Sequence, residues 1–248
     1  MSEAVLSSYR DHALWLTINR PERANALDDD TVRLLLEAVE NPGDARAIVF
    51  TGSGEKAFCA GADVTGSSPE EAGEGFSALL QAMEDCPVPI IARVRGAAAG
   101  GGVGLICASD FAIGSDEATF ATPEGRLGVF AFMILPFLLR VTDARTVAKM
   151  VFAAEKLSAA EAAATGLLTK VVDSADLDRE VWQTLSAICA MGPQAIRAGR
   201  RVFRRCVRGE PPTREELLTE FIQLWRGDES VEGRAAFREK RAPSWCIS

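Results

Sequence analysis

Three short segments of the sequence contain residue types that can stabilise a negative charge or transfer a proton. The glycine run 100–102, followed by Gly104, stands at the predicted start of an apolar helix. Glycines there let a ligand approach the free N–H groups and the positive end of the helix dipole, which suits an oxyanion. The small residues at 58–63 would leave further N–H groups accessible, and Glu124 lies among apolar residues that could raise its basicity. Each segment also has a simpler interpretation: a tight turn, an ordinary loop and a solvated carboxylate, respectively.

The residue inventory excludes several other kinds of catalytic site. The chain has one His and one Tyr, and both His12 and Tyr9 fall within the first twelve residues. A Ser-His-Asp triad or a three-His metal site in the middle of the chain is therefore excluded. The six cysteines form no CxxC pair and show no metal-ligand spacing, so no metal site is expected. Cys107 and Cys189 stand in apolar runs and are predicted to be buried free thiols.

The overall composition restricts the partners and the compartment. Hydrophobic residues make up 48% and charged residues 25%, as in ordinary globular proteins. With 27 Lys and Arg against 35 Asp and Glu, the net charge of −8 gives no attraction for nucleic acid or for anionic membranes. The sequence contains no run of 18 apolar residues, and its first residues do not have the pattern of a signal peptide. We therefore expect a cytoplasmic protein with neither a nucleic-acid nor a membrane partner.

Apolar periodicity and capping residues predict alternating strands and helices, followed by a helical C-terminal region. Strands are predicted at 4–10, 13–19, 47–50, 89–94 and 111–113, and helices at about 28–41 and 69–85. Alternation of this kind is typical of an α/β fold. From Asp143 onward helices dominate, with one strand near 168–172. Three or four helices are predicted over 176–241, interrupted at Gly192-Pro193, Pro211-Pro212 and Gly227.

Five motifs, in order between about residues 13 and 245, resemble those of the crotonase (enoyl-CoA hydratase/isomerase) superfamily. They are 16–27 (LTINRPERANAL), 56–63 (KAFCAGAD), 96–102 (GAAAGGG), 123–128 (PEGRLG) and 239–243 (EKRAP). The resemblance implies a spiral of ββα turns over 1–192 and a helical trimerisation region over 193–248. It also implies a homotrimer or hexamer, an acyl-CoA substrate and no cofactor beyond the coenzyme A that the substrate itself carries.

The resemblance also implies roles for individual residues. The N–H groups of Ala62 and Gly101 would form an oxyanion hole that holds the thioester oxygen as an enolate develops. Glu124 would be the catalytic glutamate. Residues implied to contact coenzyme A are Arg23, Ala24, Ala60, Phe221 and Lys240, the last two often from a neighbouring subunit.

One departure from the superfamily pattern affects the predicted activity. Ordinary hydratases have a first catalytic glutamate twenty residues before the second, and that position is Gly104 here. We expect its missing side chain to leave a space beside the oxyanion hole. The segment 128–137 also departs from typical hydratases and resembles variants with glycine at this position. The loop 64–88 is about four residues shorter than in typical hydratases, so the residues of their acyl pocket cannot be carried over to this chain.

Several activities are compatible with a single glutamate. Hydration of an enoyl-CoA is the first hypothesis because it is the commonest activity of the superfamily. Δ3–Δ2 enoyl-CoA isomerisation is the alternative, because one carboxylate suffices to move a proton between C2 and C4. A non-catalytic acyl-CoA-binding protein and an acyl-CoA hydrolase or decarboxylase are weaker hypotheses.

Overall fold

Two sheets of mainly parallel strands form the centre of the molecule, which the computed structural model describes for residues 3–63 and 68–246. The larger sheet contains β1 (Val5–Arg10), β2 (Ala13–Ile18), β3 (Ala47–Gly52), β5 (Ile90–Val94), β7 (Phe111–Ser115) and β10 (Lys170–Val172). These six strands lie side by side in that order. β1 and β2 form an antiparallel hairpin, and all other neighbours run parallel.

The smaller sheet consists of four short strands. They are β4 (Ala57–Cys59), β6 (Ala97–Ala99), β8 (Thr119–Ala121) and β9 (Leu157–Ser158), adjacent in that order. The first three run parallel, and β9 runs antiparallel to β8. Because parallel strands bring their carboxyl ends to one edge of a sheet, the segments that follow β4, β6 and β8 meet there.

The chain passes three times from the larger sheet to the smaller sheet and then into a helix. The helices of these turns are α2 (Pro69–Asp85) after β4, α3 (Gly101–Ala108) after β6 and α4 (Leu135–Val141) after β8. A 3-10 turn at Glu124–Leu127 precedes α4. The predicted spiral of ββα turns is thus confirmed.

The remaining helices flank this spiral and continue it to the C-terminal region. They are α1 (Asp29–Glu40), α5 (Ala144–Ala153), α6 (Ala159–Ala164), α7 (Leu177–Cys189), α8 (Pro193–Val207), α9 (Arg214–Arg226) and α10 (Asp228–Glu239). The last four are interrupted at the glycines and prolines that the sequence analysis identified. The division into a core over 1–192 and a separate region over 193–248 stays a prediction.

Local sequence signals account for where several elements begin. The Asp28 and Asp143 side chains accept hydrogen bonds from N–H groups in the first turns of α1 and α5. Ser158 forms a capping box with Glu161 at the start of α6. Asp11 has φ +51° and His12 (φ +60°) follows it, so both residues between β1 and β2 have the left-handed conformation that a two-residue hairpin of this type requires.

Apolar residues cover both faces of the larger sheet. One face contributes to the main core, whose largest fully buried side chains include those of Phe50, Phe58 and Phe120. On the other face, Val49 and Ile91 pack in a second cluster with Val181 and other residues of α7. The helix α7 therefore completes a layered α/β arrangement.

A buried charge network attaches α8 to the rest of the chain. The Asp110 carboxylate accepts a hydrogen bond from Arg200 Nε at 2.8 Å and forms an ion pair with Arg204 Nη2 at 2.7 Å. The Arg200 guanidinium also donates to the carbonyl oxygens of Met83, Glu84 and Cys86 at the end of α2. Arg200 and Arg204 are each only 6% exposed, so these contacts replace water at the Arg200 guanidinium and at Arg204 Nη2.

Four features of the fold differ from the sequence prediction. The predicted loop at 58–63 begins within strand β4, and the glycine-rich segment at 96–102 contains strand β6. The smaller sheet as a whole, including β9 after Asp143, was not predicted, because strands of two or three residues are too short to show periodicity. The helix α4 was also missed.

Other predictions concern burial and membrane crossing. Cys107 and Cys189 are buried free thiols, as predicted. None of the helices within the described residues combines the length and the apolar character needed to cross a bilayer.

Candidate active site

An apolar cleft of about 290 Å³ lies where the segments after β4, β6 and β8 meet. Of the residues singled out in the sequence, the cleft is lined by Ala60, Ala62, Gly101 and Glu124. Apolar side chains from α1 and the residues just before it, from α2 and from the segment before α4 complete the wall: Leu27, Val32, Phe76, Val129, Phe130, Ala131, Phe132, Met133 and Ile134. Three segments far apart in the sequence therefore converge on one cavity.

The segment after β4 holds the N–H group of Ala62 in a fixed direction. Leu27 N–H donates to Gly61 O at 2.8 Å, and Asp63 N–H donates to Leu27 O at 2.8 Å, which forms a parallel bridge between Leu27 and Ala62. In such a bridge the N–H of the central residue points away from the partner segment. The Ala62 N–H therefore points away from Leu27, and it donates no hydrogen bond within the described part of the chain.

The first residue of α3 supplies a second free N–H group. The first hydrogen bond of this helix runs from Gly104 N–H to Gly100 O, which leaves the N–H of Gly101 without an intrahelical acceptor. Gly100 has φ +50° and ψ −118°, a conformation that residues with side chains rarely adopt. A Cβ on Gly61 would lie 3.1 Å from the Gly101 nitrogen, so the two segments are in direct contact.

Glu124 lies against this pair of segments. Its Oε1 would lie 2.9 Å from a Cβ on Gly100, so the carboxylate packs directly on the Gly100 backbone. Its Oε2 is buried and has no hydrogen-bond partner among the described residues. Burial raises the pKa of the Glu124 carboxyl above the ordinary glutamate value, with a smaller opposing effect from its own backbone N–H. A carboxyl group with this combination of burial and raised pKa is a candidate acid–base residue.

Other ionisable groups near the cleft are already neutralised or inert. Asp63 accepts a hydrogen bond from Arg20 Nη2 at 2.9 Å, and Asp29 lies in the first turn of α1, where the helix dipole stabilises a carboxylate. Burial raises the pKa of the Cys59 thiol to about 12, so it stays protonated, and its sulfur accepts the Gly61 N–H at 3.5 Å. Among the carboxylates that line the cleft, Glu124 therefore stands out because one of its oxygens is buried without a hydrogen-bond partner among the described residues.

The expected space beside Gly104 does not exist, and this prediction was wrong. A Cβ on Gly104 would lie 2.4 Å from Ile134 Cγ2 and 3.2 Å from Phe76 Cζ. Ile134 is 3% exposed and Phe76 is 8% exposed, so both side chains are fixed in the core. The sequence did not show this because Ile134 is thirty residues from Gly104 and meets it only in the folded chain.

The residues implied to contact coenzyme A fall into two groups. Arg23, Ala24 and Ala60 are exposed near the cleft, and Ala60 N–H donates to Ala24 O at 3.0 Å. Phe221 in α9 and Lys240 at the end of α10 are exposed and do not line the cleft of a single chain. Their contact with coenzyme A from a neighbouring subunit stays a prediction.

Sequence reasoning gave no role to three residues that shape the site. Phe76 and Ile134 form the apolar wall beside Gly104, and Arg20 holds Asp63 next to Ala62. The sequence predicted the helix that contains Phe76 but not the cavity that its side chain faces. Residues 64–67 of the short loop lie outside the described residues.

Comparison with known proteins identifies the family. A family model described as Enoyl-CoA hydratase/isomerase matches residues 11–246. The chain is 33% identical to the carnitinyl-CoA dehydratase of Salmonella typhi, with 99% of each chain covered. It is similar in structure to an enoyl-CoA hydratase of Mycobacterium smegmatis, with a TM-score of 0.91, 29% identity and coverage of 99% of this chain and 100% of the other.

A second solved structure leads to the same result. An enoyl-CoA hydratase/isomerase from Marinobacter aquaeolei superimposes with a TM-score of 0.90 and 28% identity, covering 99% of this chain and 100% of the other. The fold is therefore the crotonase fold, and the likeness extends over nearly the whole chain. The chain belongs to the enoyl-CoA hydratase/isomerase family, whose members are enzymes acting on acyl-CoA thioesters.

Proposed function

We propose that this enzyme adds water reversibly to a 2-enoyl-CoA, with Glu124 as its single acid–base residue and the N–H groups of Ala62 and Gly101 as its oxyanion hole. The observation that carries the proposal is the meeting of these three groups in one apolar cleft. The Glu124 carboxylate packs against Gly100, directly beside the two free N–H groups.

Each group has a defined task in this reaction. The thioester oxygen accepts hydrogen bonds from the two N–H groups, which stabilise the negative charge of the enolate by roughly 3 kcal/mol per donor. The Glu124 carboxylate takes a proton from water as the water oxygen bonds to C3. The same carboxyl group then returns the proton to C2. The raised pKa of Glu124 suits the first step, because it makes the carboxylate a stronger base.

The second candidate is an isomerase that moves the double bond of an enoyl-CoA from C3–C4 to C2–C3. The apolar wall beside Gly104 favours this candidate. Ile134 and Phe76 occupy the volume that a second carboxylate would need. A proton shuttle between C4 and C2 requires one carboxylate only, whereas many hydratases orient the attacking water with two. The relatives named carnitinyl-CoA dehydratase favour hydration and dehydration instead.

A protein that only binds acyl-CoA has no use for a buried carboxylate without a partner. Such a group costs stability, because a buried polar atom loses its hydrogen bonds to water. The Oε2 of Glu124 therefore supports catalysis over binding alone.

A single assay panel separates the candidates. Purified protein is mixed in separate assays with a 2-enoyl-CoA, a 3-enoyl-CoA and carnitinyl-CoA. The absorbance of the conjugated thioester is followed over time in each assay. We expect loss of absorbance from a 2-enoyl-CoA, which means hydration. A gain from a 3-enoyl-CoA instead identifies an isomerase. If neither occurs although the CoA thioesters bind, the protein is a binding protein and the proposal is wrong.

A further inference from the structure

We infer that Arg20 is a positioning residue that holds the Ala62 N–H in the direction required by the thioester oxygen. The inference rests on the proposed function, because it assumes that this N–H group is one of the two oxyanion donors. Arg20 itself does not line the cleft.

The Ala62 N–H is oriented by a bridge of only one residue. Two hydrogen bonds, Leu27 N–H to Gly61 O and Asp63 N–H to Leu27 O, fix the plane of the peptide groups around Ala62. On the side toward β4 the two segments are also joined by Ala60 N–H, which donates to Ala24 O at 3.0 Å. On the side of Asp63 the backbone supplies no further bond between them within the described residues, so a contact there limits the rotation that would turn the Ala62 N–H away.

Arg20 supplies contacts on both sides of this bridge. Its Nη1 donates to Ala26 O at 2.6 Å, and its Nη2 lies 3.0 Å from Asp28 Oδ2, so it binds the residues before and after Leu27. The same Nη2 donates to Asp63 Oδ2 at 2.9 Å, next to Ala62 in the opposite segment. The planar guanidinium therefore joins the two segments at fixed distances.

The burial of this group makes the contacts effective. The side chain of Arg20 is 16% exposed and that of Asp63 is 11% exposed, so water competes weakly for either partner. With two carboxylates and a carbonyl already bound, Arg20 has little capacity left for a phosphate of coenzyme A. Its expected effect is thus on the oxyanion hole and not on cofactor binding.

The backbone of Arg20 is itself held rigidly to the smaller sheet. Its N–H donates to Asn25 Oδ1 at 3.1 Å, and Asn25 Nδ2 donates to Ala57 O at 2.7 Å in β4. Asn25 is fully buried and has φ +57°, which fits a tight turn that asparagine tolerates. The guanidinium therefore starts from a fixed point relative to the strand that carries the oxyanion segment.

The test compares Arg20→Lys and Asp63→Asn with wild type and with Arg33→Lys as the matched control. Arg33 forms comparable ion pairs on the exposed face of α1, away from the cleft. The infrared stretching frequency of the carbonyl of bound butyryl-CoA, labelled with ¹³C at that carbon, reports the hydrogen bonds to the thioester oxygen. Binding of a CoA thioether that lacks the carbonyl reports the remaining contacts.

We expect Arg20→Lys and Asp63→Asn to lower kcat about 10- to 100-fold, less than complete loss of an oxyanion donor. Both should reduce the downshift of the carbonyl frequency, while thioether binding and the Arg33→Lys control stay near wild type. The melting temperature of both variants should fall, because each loses partly buried ion pairs. If a folded Arg20→Lys or Asp63→Asn protein keeps the full downshift, the inference is overturned. The inference is also overturned if thioether binding weakens by the same factor as kcat falls. If one variant does not fold, the other decides. Absence of any downshift in wild type contradicts the proposed oxyanion hole instead.

Discussion

Glu124 combines a carboxylate oxygen without a partner and a position against the backbone of Gly100. Replacing it by Gln keeps the size of the side chain and removes its acid–base function. We expect Glu124→Gln to lower kcat by about 10²–10⁴ while leaving the dissociation constant of a saturated acyl-CoA unchanged. Steady-state kinetics and calorimetric titration measure the two quantities. The exposed Glu117→Gln variant is the control, and wild-type kcat in Glu124→Gln contradicts the assignment.

The raised pKa of Glu124 also predicts a pH-dependent cost in stability. The unfolded chain loses this proton at the ordinary glutamate pKa, whereas the folded protein loses it only at the higher value. As the pH rises through the interval between these two values, the folded wild type becomes less stable relative to Glu124→Gln. Above the folded-state pKa the difference is constant.

Thermal unfolding at several pH values measures this cost. We expect Glu124→Gln to melt at a higher temperature than wild type at neutral pH, and the gap to narrow below the ordinary glutamate pKa. The kcat/KM of wild type should fall with decreasing pH through the same raised pKa, because the base becomes protonated. A gap in melting temperature that does not depend on pH would show that Glu124 titrates as a solvated side chain.

Sequence reasoning named three residues that line the cleft, but it did not find the apolar wall beside Gly104 or the role of Arg20. Glu124, Ala62 and Gly101 stand in short segments whose composition points to accessible backbone or a desolvated carboxylate. The role of Arg20 depends on its distance to Asp63, forty-three residues away, and no local pattern encodes that distance. Long-range contacts of this kind are decided by the whole fold.

At the scale of elements, α3 packs so closely against Ile134 and Phe76 that a side chain at residue 104 would have to displace them. A methyl group at this position overlaps Ile134 Cγ2. We expect Gly104→Ala to destabilise the protein by about 1–3 kcal/mol. Ile134→Ala removes the overlapping group. The free energy of unfolding of the double variant should therefore exceed the value expected from adding the two single effects by about 0.5–3 kcal/mol. Urea unfolding of the four proteins measures this coupling.

Gly199 provides the matched control for this experiment. It lies within α8, and a Cβ there meets no atom within 4 Å. We expect Gly199→Ala to be neutral or to stabilise the protein by up to about 1 kcal/mol, since alanine favours helix. If Gly104→Ala behaves in the same way, the wall formed by Ile134 and Phe76 yields easily, and Gly104→Glu becomes a feasible route to a second carboxylate.

The elements that the sequence predicted well are those with long amphipathic or capped segments, such as α1 and α7. The strands β4, β6 and β8 have three residues each and are rich in alanine, which is a weak strand former. They exist because successive turns of the spiral lie parallel and pair with one another. Their formation is thus a tertiary effect, which explains why the loops that follow them were recognised before the strands themselves.

At the scale of the whole molecule, the C-terminal helices leave a large apolar surface uncovered in the single chain. The helix α9 contributes no buried residue. Large apolar side chains exposed on α8 to α10 are Phe203, Leu217, Leu218, Phe221, Ile222, Trp225, Val231 and Phe237. Surfaces of this kind usually form interfaces. We therefore predict that copies of the chain associate through these helices.

Light scattering at micromolar concentration tests this prediction. We expect a mass three or six times that of one chain, as the resemblance to the superfamily implied. Leu218→Arg should lower the mass by placing a charge in the apolar surface, whereas Glu40→Arg on α1 should leave it unchanged. A monomeric mass for the wild type contradicts the prediction.

The bonds between Asp110 and α8 have a consequence for how this protein is made. A ribosome completes the strands around Asp110 ninety residues before it adds Arg200. At about 5–20 residues per second, the Asp110 carboxylate waits roughly 5–20 s for its partner. During that interval the end of α2 also lacks the guanidinium that binds its carbonyl oxygens. A translation product that ends before residue 200 therefore keeps the Asp110 carboxylate and the end of α2 without this partner.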